Sequence, residues 1–258
     1  MNRTIGILGI LLFTIIGNLR ADGNERKVML VLDISSSMLA KDIAPNRLAR
    51  CKDLARIFIE QHPDVPIGIT AFAGVWEDIC IPRTDHNTVQ SHLKSLRTGR
   101  LKDGTAIGSA LLSAASFLTG TGGTIILITD GVENCGTVST STAIEILKHY
   151  NIKLNVIGIG INGMVPFPYQ TPEGEKIINV KMTFDPKYLS EIATATGGRY
   201  YGVSSIQDFL NMLHELDKPT WLELPQGVRA SEDCHMTEEV MKWVIKRVTM
   251  GGSDIPLP

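Results

Sequence analysis

What this 258-residue chain lacks narrows its chemistry before any motif is read. No long basic run is present and the formal net charge is -2, so the electrostatic footprint that grips nucleic-acid phosphates is missing. There are four cysteines, Cys51, Cys80, Cys135 and Cys234, and their spacing matches no zinc site. Cys51 shares a helical apolar face with Leu48, Ala55 and Phe58 and reads as a small buried hydrophobe. The histidines, His62, His86, His92, His149, His214 and His235, are scattered without ligand spacing and read as surface or helix-face residues. The turn after the first apolar strand has no Gly-rich phosphate loop, which argues against nucleotide binding. No internal repeat or low-complexity tract is visible, and no apolar run of membrane-spanning length follows residue 218. The length suits one large domain, or one domain with appendages.

The amino terminus is of another kind. Arg3 precedes the apolar stretch from Ile5 to Ile16, which is short for a membrane span, and Leu19-Arg20-Ala21 leads into polar sequence. This is the layout of a secretory signal peptide over residues 1–21, with cleavage after Ala21, or of an uncleaved amino-terminal anchor built on residues 5–16. Either form predicts an exported domain, periplasmic or otherwise outside the cytoplasm, and export permits disulfides.

From Val28 the chain alternates strands and helices. Val28-Met29-Leu30-Val31-Leu32 is a short apolar run of the kind that forms a buried parallel strand. Pro45 to Gln61 carries apolar residues at helical spacing, with Pro45 suited to its first turn. Strands are predicted at 67–73, 124–129, 153–160 and 199–203, and Cys80-Ile81 reads as a short edge strand stopped by Pro82. Helices are expected from Thr84 or Asp85 to Leu96, up to about Leu118, over 142–150 and 185–196, and from Ser204 or Ser205 to about Asp217. Strands separated by helices imply parallel pairing with right-handed crossovers. The fold class is therefore α/β: a doubly wound, Rossmann-like, mostly parallel sheet with helices on both faces, spanning residues 27–218. Asn162 to Thr183 interrupts the alternation; its Ile177-Ile178-Asn179-Val180 stretch favours an ordered hairpin turning at Pro172-Glu173-Gly174. Residues 219–258 form a tail in which Val240, Met241, Val244, Ile245 and Val248 share one helical face, opposite Lys242, Lys246 and Arg247.

The first strand ends in Asp33-Ile34-Ser35-Ser36-Ser37, at the carboxyl edge where open α/β sheets place their sites. Read locally, a serine there also caps the next helix. Asp33, Ser35 and Ser37 are joined at the same edge by Thr105, in Asp103-Gly104-Thr105, and by Asp130, in Thr129-Asp130-Gly131. Carboxylates and hydroxyls converging in this way suit a hard cation such as Mg²⁺, which takes oxygen ligands and keeps several waters. Trp76 follows the second strand and either lies on the rim near these residues or packs under its own loop.

Asp-x-Ser-x-Ser with a distant Thr and a distant Asp resembles the metal-ion-dependent adhesion site (MIDAS) of the von Willebrand factor A (VWA) family, over residues 27–218. The resemblance implies a VWA fold with one short antiparallel edge strand. It implies metal ligation by the hydroxyls of Ser35, Ser37 and Thr105, with Asp33 and Asp130 supplying charge, often through water. Ser36 stands where the family most often has Gly. Within the family the chain is most similar to bacterial Bat (aerotolerance operon) proteins, through residues 33–38, Ala44-Pro45-Asn46-Arg47-Leu48, residues 103–108 and Gly158 through Pro172. That likeness implies inner-membrane association with the domain facing the periplasm, and partners among other Bat-type VWA proteins or a MoxR-type ATPase system.

The function expected from these residues is a protein-protein interaction module, not an enzyme and with no catalytic residue. A divalent cation, Mg²⁺ or else Mn²⁺ or Ca²⁺, accepts an Asp or Glu from a partner protein. The alternative is a haloacid-dehalogenase-type (HAD-like) Mg-dependent phosphohydrolase. That chemistry wants a second carboxylate two residues after the first to protonate the leaving group, and the chain has Ser35 there.

Overall fold

The apolar run at Val28 becomes the centre of a sheet because both of its faces can be covered. In the computed structural model, which describes residues 26–120 and 122–216, β1 (Lys27–Asp33) is buried from Val28 onward. Its neighbours β2 (Ile67–Phe72) and β4 (Gly123–Thr129), and β5 (Ile152–Ile159) beyond, are buried along their whole length. Such strands lack the alternation of a half-exposed sheet because helices lie on both sides. The strand order is β3-β2-β1-β4-β5-β8, with β3 (Trp76–Arg83) antiparallel to β2 at one edge and β8 (Tyr200–Val203) parallel to β5 at the other.

Side chains on β1 sort the two layers with period two. Val28, Leu30 and Leu32 pack with α1 (Arg47–Gln61), α2 (His86–Ser95) and α6 (Ile206–Leu216). Met29 and Val31 pack with α3 (Ile107–Ser116), α4 (Thr140–His149) and α5 (Pro186–Thr194). A slip of one residue in β1 would exchange the layers, so dense packing on both sides holds the register that puts Asp33 opposite Phe72. Cys51 lies in the first layer with Leu48, Ala55 and Phe58, as its spacing predicts. Cys51 and Cys80 are buried free thiols and Cys135 is an exposed one.

Most predicted boundaries shift by a residue or two, and two of the shifts have a visible cause. The first helix begins at Arg47 rather than Pro45, because the Asn46 side chain accepts the Ala49 N–H at 2.8 Å and caps it there. The edge strand is longer than Cys80-Ile81 and passes through Pro82 to Arg83. Ile67 pairs with Arg83 and Ile69 with Cys80, so Ile81 and Pro82 together face Gly68 in a bulge. An outer strand at a bulge needs no donor from proline. A Cβ on Gly68 would lie 2.8 Å from the Cys80 carbonyl oxygen and 2.9 Å from the Pro82 nitrogen, so this bulge requires glycine.

The expected hairpin forms as a separate two-stranded sheet, β6 (Gly163–Thr171) and β7 (Gly174–Met182). Asn162 closes its base by donating to the Phe184 carbonyl and accepting the Phe184 N–H, both at 2.6 Å. Lys41 joins it to the loop after β1, through N–H to the Pro166 carbonyl at 2.8 Å and Nζ to Glu175 at 2.7 Å. The amino-terminal segment 1–21 and the apolar stripe at 240–248 lie outside the described residues. Among the described residues no helix is long and apolar enough to cross a membrane.

Candidate metal centre

The sheet order reverses between β1 and β4: one crossover from β1 leads to β2, while β4 pairs on its other side. Loops leaving these strands at their carboxyl ends separate and open a crevice. Asp33 ends β1, and Asp130 follows β4 directly. Ser35 leads into a single 3₁₀ turn, Ser36–Leu39, which keeps Ser37 at the crevice while Met38 is driven into the core. The Thr105 segment is drawn in by Ala106 N–H on the Ala73 carbonyl at 2.8 Å, and by Thr105 N–H on Asn134 Oδ1 at 2.9 Å.

The hydrogen bonds have a definite direction. Ser37 donates its single hydroxyl proton to Asp130 Oδ1 at 2.8 Å. The 2.9 Å contact between the Ser35 and Ser37 hydroxyls must then be donated by Ser35. Asp33 Oδ1 accepts the Ser35 N–H at 2.9 Å, and Oδ2 accepts the Thr129 hydroxyl at 2.6 Å. Thr105 faces the Asp130–Gly131 turn: a Cβ on Gly131 would lie 3.4 Å from its hydroxyl oxygen. Asp33, Ser35, Ser37, Thr105 and Asp130 are thus all at this edge, with Ser35, Ser37 and Asp130 linked in one chain and Asp33 bonded to the backbone of Ser35. Ser37 is half-buried and the other four are buried.

Two carboxylates at one dry edge are electrostatically incomplete. Burial, and next the charge of Asp130, push the Asp33 carboxyl from its ordinary 3.8 up to about 7, against the pull of its bonds to Ser35 and Thr129. Burial also raises Asp130, opposed by Arg47 and Ser37. The donor chemistry fits a hard divalent cation. The hydroxyl oxygens keep lone pairs after donating, and the carboxylates gain from an added positive charge. No group of three or more His, Cys, Asp or Glu with metal-holding arrangement occurs among the described residues, so a cation here would depend on hydroxyls as well as carboxylates.

Sequence reasoning missed the strongest charge at the site. Arg47 is 1 % exposed, donates Nη1 to Asp130 Oδ2 at 2.8 Å, and forks onto Asp42 through Nε at 2.8 Å and Nη2 at 2.6 Å. A signal existed: Arg47 falls in helical phase with Cys51, Leu54 and Phe58, a cation on an apolar stripe. Asp103 was also passed over as a partner. It accepts both the Ser36 N–H at 2.9 Å and the Ser36 hydroxyl at 2.6 Å, tying the first loop to the Thr105 loop. Ser36 is exposed, so the serine in the family's glycine position points outward. Trp76 is 44 % exposed and begins β3, after a turn whose Gly74 N–H meets the Lys102 carbonyl at 2.7 Å. His62 and His86 bond the carbonyls of Phe58 and Val65.

Residues 28–133 match the family model described as von Willebrand factor type A domain. A protein of Borreliella burgdorferi described only as uncharacterized is 30 % identical over 201 residues, covering 76 % of this chain and 59 % of its own length. The chain therefore spans about three fifths of that relative's length. Among solved structures, BatB from Bacteroides thetaiotaomicron is 27 % identical with a TM-score of 0.61, covering 74 % of this chain and 99 % of that one. An aerotolerance-related membrane protein from Bacteroides fragilis is 29 % identical with a TM-score of 0.62, covering 72 % and 94 %. Strand order and these matches show a von Willebrand factor A-like fold, with the family match over residues 28–133 and similarity to the Bat-type aerotolerance proteins.

Proposed function

We propose that the domain is a metal-dependent protein-interaction module. Asp33, Ser35, Ser37, Thr105 and Asp130 hold a divalent cation, Mg²⁺ in the first instance and otherwise Mn²⁺ or Ca²⁺. The observation that carries this reading is the directed chain from Ser35 through Ser37 to Asp130, set beside a second buried carboxylate. A bound cation would supply an open coordination position for the Asp or Glu of a partner protein. The chain's own residues do the rest. Ser35, Ser37 and Thr105 offer neutral oxygens, so the cation keeps enough net charge to attract an outside acid. Asp33, held by the Ser35 N–H and the Thr129 hydroxyl, and Asp130, held by Ser37 and Arg47, act mainly through charge and water. Val75 and Trp76, each 44 % exposed where β3 begins, and Met164, 60 % exposed in β6, are offered as apolar surface for the partner.

Ser35 holds the position that a HAD-like phosphohydrolase needs for its second carboxylate, and the nearby cation Arg47 is bound by Asp42 and Asp130. An interaction module is therefore favoured over an enzyme. We place it in a cell-envelope complex, on its similarity to a protein described as an aerotolerance-related membrane protein. Other Bat-type VWA proteins or a MoxR-type ATPase system are the partners to test.

The test is Mg²⁺ titration by calorimetry of the wild type and Asp33→Ala, with affinity capture from membrane fractions in Mg²⁺ and in EDTA. Asp33→Ala is expected to lose metal uptake and capture while keeping its fold, because the side chain sits at a strand end. Equal metal uptake by both proteins, or capture that persists in EDTA, would overturn the proposal.

A further inference from the structure

We propose that Arg47 is a built-in cation at this site, which holds Asp130 in place before any metal arrives and keeps metal affinity low enough for exchange. The inference rests on the metal-site reading above and adds a regulator to it.

The guanidinium is anchored from three sides. Asp42, in the loop after β1, takes its fork through two oxygens at 2.8 and 2.6 Å. Asp130, at the end of β4, takes Nη1 at 2.8 Å. From the end of β5, Gly160 comes so close that a Cβ there would lie 2.6 Å from the guanidinium carbon, and its φ of 129° also calls for glycine. All three charged side chains are nearly inaccessible, at 1 % for Arg47, 3 % for Asp42 and 1 % for Asp130. A planar fork held in this way cannot swing aside as a lysine would.

Two consequences follow from the division of Asp130. Oδ2 is committed to Arg47 while Oδ1 receives Ser37, so the carboxylate and the serine chain are positioned by protein alone. Arg47 also stands as a fixed positive charge one carboxylate away from where a cation would sit. Like charges at such range repel appreciably at the effective dielectric of a protein. Asp42 tempers this by neutralising part of Arg47, so Arg47 and Asp42 move metal affinity in opposite directions. A residue with a purely structural role would not do so.

The experiment uses the full chain, with Mn²⁺ as probe, in calorimetry and in thermal unfolding with and without EDTA. Arg47→Met is expected to bind Mn²⁺ tighter by about tenfold or more. It should melt lower than wild type in EDTA and regain more on adding Mn²⁺. Asp42→Asn is expected to bind Mn²⁺ several-fold more weakly, because Arg47 then bears on the site with less compensation. Folding of Arg47→Met only in the presence of Mn²⁺ supports the proposal, since the ion then replaces the guanidinium. If Arg47→Met folds in neither condition, Asp42→Asn decides alone, and unchanged or tighter binding overturns the proposal. A folded Arg47→Met with equal or weaker binding also overturns it. A wild type that takes up no Mn²⁺ refutes the proposed function. Uptake gained by Arg47→Met would then still support this inference, and no uptake by any of the three proteins overturns both.

Discussion

Asp130 and Glu133 sit in the same loop and carry the same functional group, yet their surroundings differ in kind. Glu133 accepts backbone N–H donors only: Gly108 on one oxygen and Thr140 on the other, both at 2.8 Å. These belong to the first turns of α3 and α4, where helices leave donors without internal partners. A single carboxylate thus caps two helices that pack on the same layer. Asp130 instead meets a hydroxyl and a guanidinium, and its charge helps to raise the proton affinity of the neighbouring Asp33. A backbone N–H can only donate, so the arrangement around Glu133 is complete once made. A hydroxyl donates and still has lone pairs to offer, so the arrangement around Asp130 can accept a further cation. The partner atoms separate a carboxylate whose bonding is complete from one whose surroundings can still take a cation.

Removing the completed carboxylate is the harshest way to probe that contrast. Glu133→Ala strips charged acceptors from two helix starts, each worth about 1–2 kcal/mol. The melting temperature should fall by roughly 5–15 °C. Glu133→Gln, which keeps one carbonyl acceptor, should recover about half. In both variants the rise in melting temperature on adding Mg²⁺ should match wild type, because Glu133 has no bond to the site residues. A variant that melts normally but loses its Mg²⁺ response would erase the distinction.

The reverse experiment targets the incomplete group. Asp33→Asn keeps the shape and the acceptor for Ser35, and turns the bond with Thr129 around so that the amide donates. Removing a buried charge whose proton affinity is raised should stabilise the metal-free protein near pH 7, by roughly 1–3 kcal/mol. Between pH 3.8 and about 7 the unfolded chain releases the Asp33 proton while the native protein holds it. The native state then binds more protons, and this contribution to stability declines as pH rises through that window. The advantage of Asp33→Asn should therefore be greatest at and above pH 7 and vanish below about pH 4. Unfolding in EDTA across this range checks it, and a variant that is less stable at pH 7 contradicts it.

The legibility of the molecule follows from which interactions are local. Strand and helix alternation is written in short-range periodicity, so the layers and the edge position of Asp33, Thr105 and Asp130 were readable. Asp130 was readable at this edge from its strand-end position, and Thr105 from its Asp103-Gly104-Thr105 motif in the loop before α3. Glu133 and Asp42 were not, because their roles depend on which backbone or side chain arrives from a distant segment. Arg47 lies between these cases: its phase on the apolar stripe was visible, but its partner Asp130 is 83 positions away in sequence. The shift of the first helix start from Pro45 to Arg47 is the same lesson at short range. Proline suits a first turn, but the Asn46 cap, a side-chain bond, decided the boundary.

The mildest test concerns Ser36, where the carboxylate partner is of the Glu133 type in part and of the Asp130 type in part. Asp103 takes the Ser36 N–H and the Ser36 hydroxyl, which holds its carboxyl below the usual range, the hydroxyl bond contributing most. Ser36 has no positive φ, so glycine would relieve no strain. Ser36→Gly deletes the hydroxyl bond, leaves the N–H bond and loosens the unfolded chain. Because the pair is exposed, solvent replaces most of what is lost, and the melting temperature should drop by only about 1–3 °C. The pH signature runs opposite to that of Asp33. A carboxyl whose native proton affinity is lowered stabilises above its ordinary value of 3.8 and loses that contribution as pH falls through the native one. The gap between wild type and Ser36→Gly should thus close on acidification, while the gap for Asp33→Asn closes in the same direction but with the variant on top. Metal affinity should change little, since Ser36 offers no atom to the crevice. A large loss of Mg²⁺ binding in Ser36→Gly would mean that the tie to Asp103, more than the bonds of Ala106 to Ala73 and of Thr105 to Asn134, holds the Thr105 loop at the site.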